Sequence, residues 1–138
     1  MDRHRTDETI SRLSFLAVAL LLPLSTLGHH SFPEHFNTSQ IAEIEGEVTA
    51  VEWSNPHVSF TMRTVTGEIW KVESNSIRGL EGREISRDVI RVGNRFRLAG
   101  FPARDGSHEL YTSNILLADG REVVLRPGSE PRWQIAED

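Results

Sequence analysis

The chain contains no cysteine, and that absence removes several classes of protein at once. A disulfide framework, a thiolate metal centre, a cysteine nucleophile and a lipidated cysteine behind an export signal are all excluded. A metal site here must be built from histidine, carboxylate or backbone ligands. A basic excess is also missing: the net charge is −5, and Arg78, Arg83, Arg87, Arg91, Arg95 and Arg97 are interleaved with Glu and Asp. Phosphate-backbone binders present a basic face, so no nucleic-acid partner is expected. There is no Gly-x-Ser-x-Gly elbow, no phosphate-cradling glycine loop and no His-Glu-x-x-His helix, and without such motifs no enzymatic activity is expected. Internal repeats and low-complexity segments are absent as well.

Long apolar runs are equally scarce. The exception is residues 13–24 (LSFLAVALLLPL), preceded by Arg3, Arg5 and Arg12 and followed by Ser25-Thr26-Leu27-Gly28. Basic, then apolar, then small is the order of a secretory signal. As a membrane span, residues 13–28 would reach only about 24 Å, against a hydrocarbon core of about 30 Å. Residues 1–28 are therefore expected to be a signal peptide cut after Gly28, and the alternative is an uncleaved anchor, through which alone the protein would be expected to meet a membrane. The mature protein would be periplasmic or secreted, and its roughly 110 residues suit a single domain.

What remains reads as strands. Residues 41–53 (IAEIEGEVTAVEW) alternate apolar with Glu and Thr and switch face around Ala50-Val51, the mark of a strand with an internal bulge. Ser54-Asn55-Pro56 makes a turn, Val58, Phe60 and Met62 alternate in a second strand, and Thr66-Gly67-Glu68 closes a hairpin into a third at residues 69–73. Between Ser74 and Gly93 the β pattern stops, with caps suited to short helical turns. Further strands follow at residues 95–101, 110–117 and 121–125, the last after the tight-turn pair Asp119-Gly120. The predicted fold is all-β, a small barrel of the oligonucleotide/oligosaccharide-binding (OB-like) type at 41–126, with its short helix between strands three and four. Val48, Val51, Phe60, Val72, Phe96 and Leu98 would face inward. Residues 29–40 form a histidine-rich lead-in, and residues 127–138 a flexible tail that Trp133 could pin to the body. Glu43, Glu45 and Glu47 share one strand face and read as a solvated edge.

His29-His30-Ser31-Phe32 together with Val51-Glu52-Trp53-Ser54-Asn55-Pro56-His57 resembles a family of small exported bacterial proteins, domain of unknown function number six thousand one hundred and fifty-two. The likeness continues through Trp70, Arg87-Asp88, Val92-Gly93, the run Gly100-Phe101-Pro102-Ala103-Arg104-Asp105-Gly106-Ser107 and Leu117-Ala118-Asp119-Gly120. It departs at Ser74-Asn75-Ser76, where the family tends to carry Ser-Pro-Asn. The resemblance implies export and a β fold, and brings no activity with it.

Five histidines follow the signal, and His29, His30 and His35 fall in the first seven mature residues. After cleavage at Gly28, His29 would offer its α-amine and an imidazole nitrogen, a chelate suited to Cu(II), and a further imidazole would complete a plane of nitrogens. His57, at the start of a strand, is the first choice for that ligand; His30 and His35 are the other candidates, with Glu34 as an oxygen ligand. Cleavage two residues earlier would place His29 third, a pattern that wraps Cu(II) or Ni(II) with backbone nitrogens. Copper is thus the expected metal, and Asn55 is expected to orient His57. The alternative is an accessory module that holds a small ligand or a periplasmic partner protein on an aromatic platform of Trp53, Phe60 and Trp70. His108 reads as an ordinary surface residue.

Overall fold

The alternation expected from residue 41 onward forms one long strand, β1 (Ala42–Glu52), in a computed structural model that describes residues 32–133. The expected signal peptide, His29 and His30 lie outside the described residues. After a four-residue helix α1 (Phe32–His35) and β1 come β2 (Ser59–Thr64), β3 (Ile69–Glu73), α2 (Ile77–Glu81), β4 (Arg95–Pro102), β5 (Glu109–Leu116) and β6 (Glu122–Val124). No described helix is long and apolar enough to cross a membrane.

β1 pairs antiparallel with β2 on one side and with β4 on the other. β2 continues to β3, β4 continues to β5, and a parallel pairing of β3 with β5 closes five strands into a barrel. The opposite end of β5 takes β6. Two glycines permit close strand contact. A Cβ at Gly46 would lie 2.2 Å from the Arg63 carbonyl oxygen, and one at Gly100 would lie 2.1 Å from that of Tyr111. The bulge sits between Val48 and Ala50, slightly earlier than the sequence pattern indicated, and the Thr49 hydroxyl donates to the Thr61 carbonyl at 3.3 Å. An extra residue there changes which side chains face the core.

Inside are Val48, Phe60, Met62, Val72, Phe96, Leu98, Leu110 and Ile115, all buried; Val51, expected among them, is partly buried against the cluster. The segment between β3 and β4 plugs one end with Leu80, Ile85 and Ile90, all fully buried. Ser76 caps α2 by accepting from the Gly79 amide at 3.2 Å. In the preceding turn Asn75 donates from its side chain to the Leu125 carbonyl at 2.9 Å.

Two expectations are corrected. The acidic residues of β1 do not line an edge, because β1 has partners on both sides; Glu45 faces Arg97 and Glu47 faces Arg95 across the β1–β4 ladder. Nor is the start of the tail loose. Both carboxylate oxygens of Glu122 accept backbone amides, from Arg132 at 2.7 Å and Trp133 at 2.9 Å, while Glu43 holds the Arg132 guanidinium at 2.8 Å and the Trp133 indole at 3.3 Å. Ion-paired acceptors of this kind bind more strongly than neutral ones, so the chain is docked as far as residue 133.

Candidate functional site

Strand alternation gives β3 and β5 different chemistry on their two sides. Val72 and Leu110 point inward at the closing seam and are buried, which leaves Lys71, Glu73, Glu109 and Tyr111 on the outer surface. The register sets Glu73 beside Tyr111 and Lys71 beside Glu109.

Each seam carboxylate holds a histidine. His57 reaches Glu73 through Nδ1. His35, in α1, meets Glu109 through Nε2 at 2.9 Å. A carboxylate that accepts from one ring nitrogen fixes the tautomer and leaves the other nitrogen with its lone pair. His57 is thus held through Nδ1, with about half of its side chain exposed (47%). The Glu109 carboxyl is held below the usual carboxylate range, chiefly by the hydrogen bond from His35, against the opposing effect of burial and with further help from Lys71.

Tyr111 stands between the two pairs. Its ring meets His57 edge-on at 6.1 Å and Phe32 edge-on at 4.6 Å, and Phe36 lies at 5.6 Å. Burial, and then the negative charge of Glu73, push its phenol above the ordinary value, with Arg126 opposing. The phenol stays protonated and donates to Asn75 Oδ1 at 3.2 Å. Arg126 lies over the Phe32 ring at 4.3 Å and the Phe101 ring at 4.9 Å, cation–π contacts that close the cluster on its far side.

The other sequence candidates are dispersed. Asn55 does not orient His57. Its Oδ1 accepts the Ile77 amide at 3.1 Å, adding a second cap to α2, and Glu73 takes the orienting role. Phe60 is buried at 4% exposure and meets Phe96 at 6.1 Å, so it offers no outward platform. Trp53 and Trp70 pack partly buried against the core. Trp70 stacks face to face with His108 at 4.7 Å, and its buried indole N–H has no partner among the described residues. His108, expected to be an ordinary surface residue, covers that indole and lies 3.6 Å from Glu68. Among the described residues no three His, Asp or Glu side chains converge on one point. A polar cleft of about 550 Å³ lies elsewhere, between the docked tail and β4–β5, and one of its lining residues, Phe101, also meets Phe32 of the seam cluster.

Glu73, Glu109, Tyr111, Phe32 and Arg126 were not singled out from the sequence. Only Phe32 carried a signal there, as part of the His-His-Ser-Phe motif. The rest depend on a parallel pairing between strands 38 residues apart in sequence at Lys71 and Glu109.

The molecule is thus a small closed β-barrel whose closing seam carries two histidine–carboxylate pairs on its outer face. The chain belongs to DUF6152, a family of unknown function, whose match covers residues 18–112. No curated protein matches it.

Proposed function

We propose that this chain is an exported, periplasmic or secreted, OB-like module that binds a divalent metal, copper above all, through His29 and His57, with His30 or His35 assisting. The OB-like assignment rests on the order β1-β2-β3-β5-β4 around the barrel with α2 between β3 and β4. The observation that carries the metal reading is the His57–Glu73 pair in a half-exposed position. It is the arrangement that ligating imidazoles adopt, one nitrogen on a carboxylate and the other available. The described chain begins at Phe32, which packs on the same Tyr111 ring that His57 touches. His29 is three residues upstream of that contact, and three residues span at most roughly 10 Å. His35, paired with Glu109 at the other side of Tyr111, is the more remote assistant.

The test is titration of protein that starts at His29 with Cu(II) against a competing chelator, alongside electron paramagnetic resonance. Tight binding of a single Cu(II) with nitrogen hyperfine structure is expected. His57→Ala should weaken it more than Glu73→Gln, whose loss of an orienting carboxylate costs about tenfold to a hundredfold in affinity. Equal binding by His57→Ala, or by protein extended upstream of His29, would overturn the reading.

A further inference from the structure

After β6 the chain turns back on itself. Pro127 and Gly128 form the centre of a turn that the Ser129 amide closes on the Arg126 carbonyl at 3.1 Å, and Gly128 takes φ +83°, a conformation open to glycine without steric cost. Residues 128–132 then line the polar cleft of about 550 Å³ together with β4–β5. The strand side of that cleft follows from a bulge. Ala99 pairs with Asn114 and Gly100 with Thr112, so Ser113 is an extra residue in β5, and a bulge re-aims the side chains beside it. Ser113 and Asn114 are both only 1% exposed. The Ser113 hydroxyl donates to Asn114 Oδ1 at 2.7 Å, while the Asn114 amide donates to the Glu122 carboxylate at 2.8 Å and to the Glu130 carbonyl at 2.9 Å.

The segment held in this way buries little, since Gly128, Glu130, Pro131 and Arg132 are exposed. Its docking adds little to the core; what it makes is a wall. Among the lining side chains Arg132 is already balanced by Glu43 at 2.8 Å, whereas Thr38, Ser129 and Glu130 have no side-chain partner among the described residues. Apolar surface comes from Phe101, Pro131 and Ile41, the last 42% exposed. Two hydroxyls, a carboxylate acceptor and apolar patches match a molecule with hydroxyls around its rim and C–H faces above and below. A lone exposed carboxylate holds a cation only weakly, and the volume falls within the range of about 300–1,000 Å³ common to small-molecule sites. We propose that this cleft is a saccharide site: a neutral pyranose donates hydroxyl protons to Glu130, exchanges hydrogen bonds with Thr38 and Ser129, and lays a C–H face on Ile41 and Phe101. Asn114 is its positioning residue, because it clips the wall through the Glu130 carbonyl. The site does not depend on the metal reading above.

The experiment titrates the full chain, in buffer freed of metal by a chelator, with the neutral sugars glucose and N-acetylglucosamine and with their charged analogues glucosamine and glucuronate. Heteronuclear NMR follows the Asn114 side-chain amide and the Trp133 indole, which donates to Glu43 beside the lining residue Arg132. A neutral sugar should shift both signals saturably in the millimolar range, leave the Trp53 and Trp70 indoles in place, and bind equally at low and high salt. Glu130→Gln should weaken it roughly fivefold, since a hydrogen bond to a charged acceptor is the stronger kind, and Thr38→Val should weaken it by less. Asn114→Ala should abolish the response at the Trp133 indole. Should Asn114→Ala fail to fold, the two exposed positions decide by themselves. The inference is overturned if neither neutral sugar gives a saturable shift, or if both Glu130→Gln and Thr38→Val leave the affinity unchanged. It is equally overturned if glucosamine alone binds and high salt releases it, which defines a cation site, or if glucuronate alone binds, which defines an anion site.

Discussion

On the β1–β4 face Glu43, Glu45 and Glu47 each meet a guanidinium, at 2.8, 2.9 and 2.7 Å, whereas on the β3–β5 seam Glu73 and Glu109 each meet an imidazole. The two faces carry the same acid in the same kind of strand, and the partner makes the difference. A guanidinium is permanently charged and has no lone pair, so its pairs hold register and keep the surface soluble. An imidazole can gain or lose its charge and, in its neutral form, carries a lone pair, which is the property that the proposed metal binding would use. The seam also lies under the incoming chain, with Tyr111 as the shared surface.

This contrast can be broken at the backbone first. Gly100→Ala would set a Cβ 2.1 Å from the Tyr111 carbonyl oxygen, forcing β4 and β5 apart beneath the seam, and should destabilise the protein by about 3 kcal/mol. Gly46→Ala, whose Cβ would lie 2.2 Å from the Arg63 carbonyl oxygen, should cost a similar amount between β1 and β2, away from the seam. Urea unfolding of both, with copper titration of the folded proteins, separates them: only Gly100→Ala should also weaken copper. Equal copper affinity in the two would mean that the seam geometry is irrelevant to the ion.

A smaller effect is expected on the ladder itself. Glu45→Ala removes an exposed pair with Arg97 and should cost less than about 1 kcal/mol. That loss should shrink further at high salt, because exposed pairs are screened. Thermal unfolding at low and high ionic strength measures it, and a loss as large as that of Gly100→Ala would erase the distinction between the faces.

The smallest effect concerns acid. The Glu43 carboxyl lies below the ordinary carboxylate range, first because the Arg132 guanidinium donates to it, with burial opposing and the Trp133 indole and nearby arginine charges assisting. A carboxyl lowered in the folded state contributes stability above its unfolded value, and that contribution is lost as pH falls through the depressed folded value. Acid titration monitored by the Trp133 environment should therefore show release of the tail below the ordinary carboxylate range. Arg132→Gln should move that release upward in pH, and an unchanged release would remove Glu43 as its cause.

Much of the barrel was legible from residue pattern. The third strand has the boundaries that Ile69 and Glu73 mark, and the break in alternation near Ala50 anticipated the bulge within two residues. Five of the six expected inward residues are buried. Alternation reports such features because it is a local consequence of one face meeting the core. The candidate site was legible only in part. His57 and His35 could be chosen as histidines, but Asn55 was given the role that belongs to Glu73, since sequence proximity favoured Asn55 and only folding brings Glu73 to His57. Alternation placed Phe60 inward, and its burial removes it from the aromatic platform that its ring chemistry also suggested.

The sequence by itself determined the absence of thiol chemistry, the acidic balance, the strand order and the clustering of histidines ahead of the barrel, all of them properties of composition and short-range periodicity. Tertiary structure decided which carboxylate met which cation. Parallel closure of β3 on β5 set Glu73 beside Tyr111, and the docking of α1 brought Phe32 to the other side of that ring. Contacts between residues so far apart in sequence exist only once the barrel has closed, because nothing in the local chain specifies them.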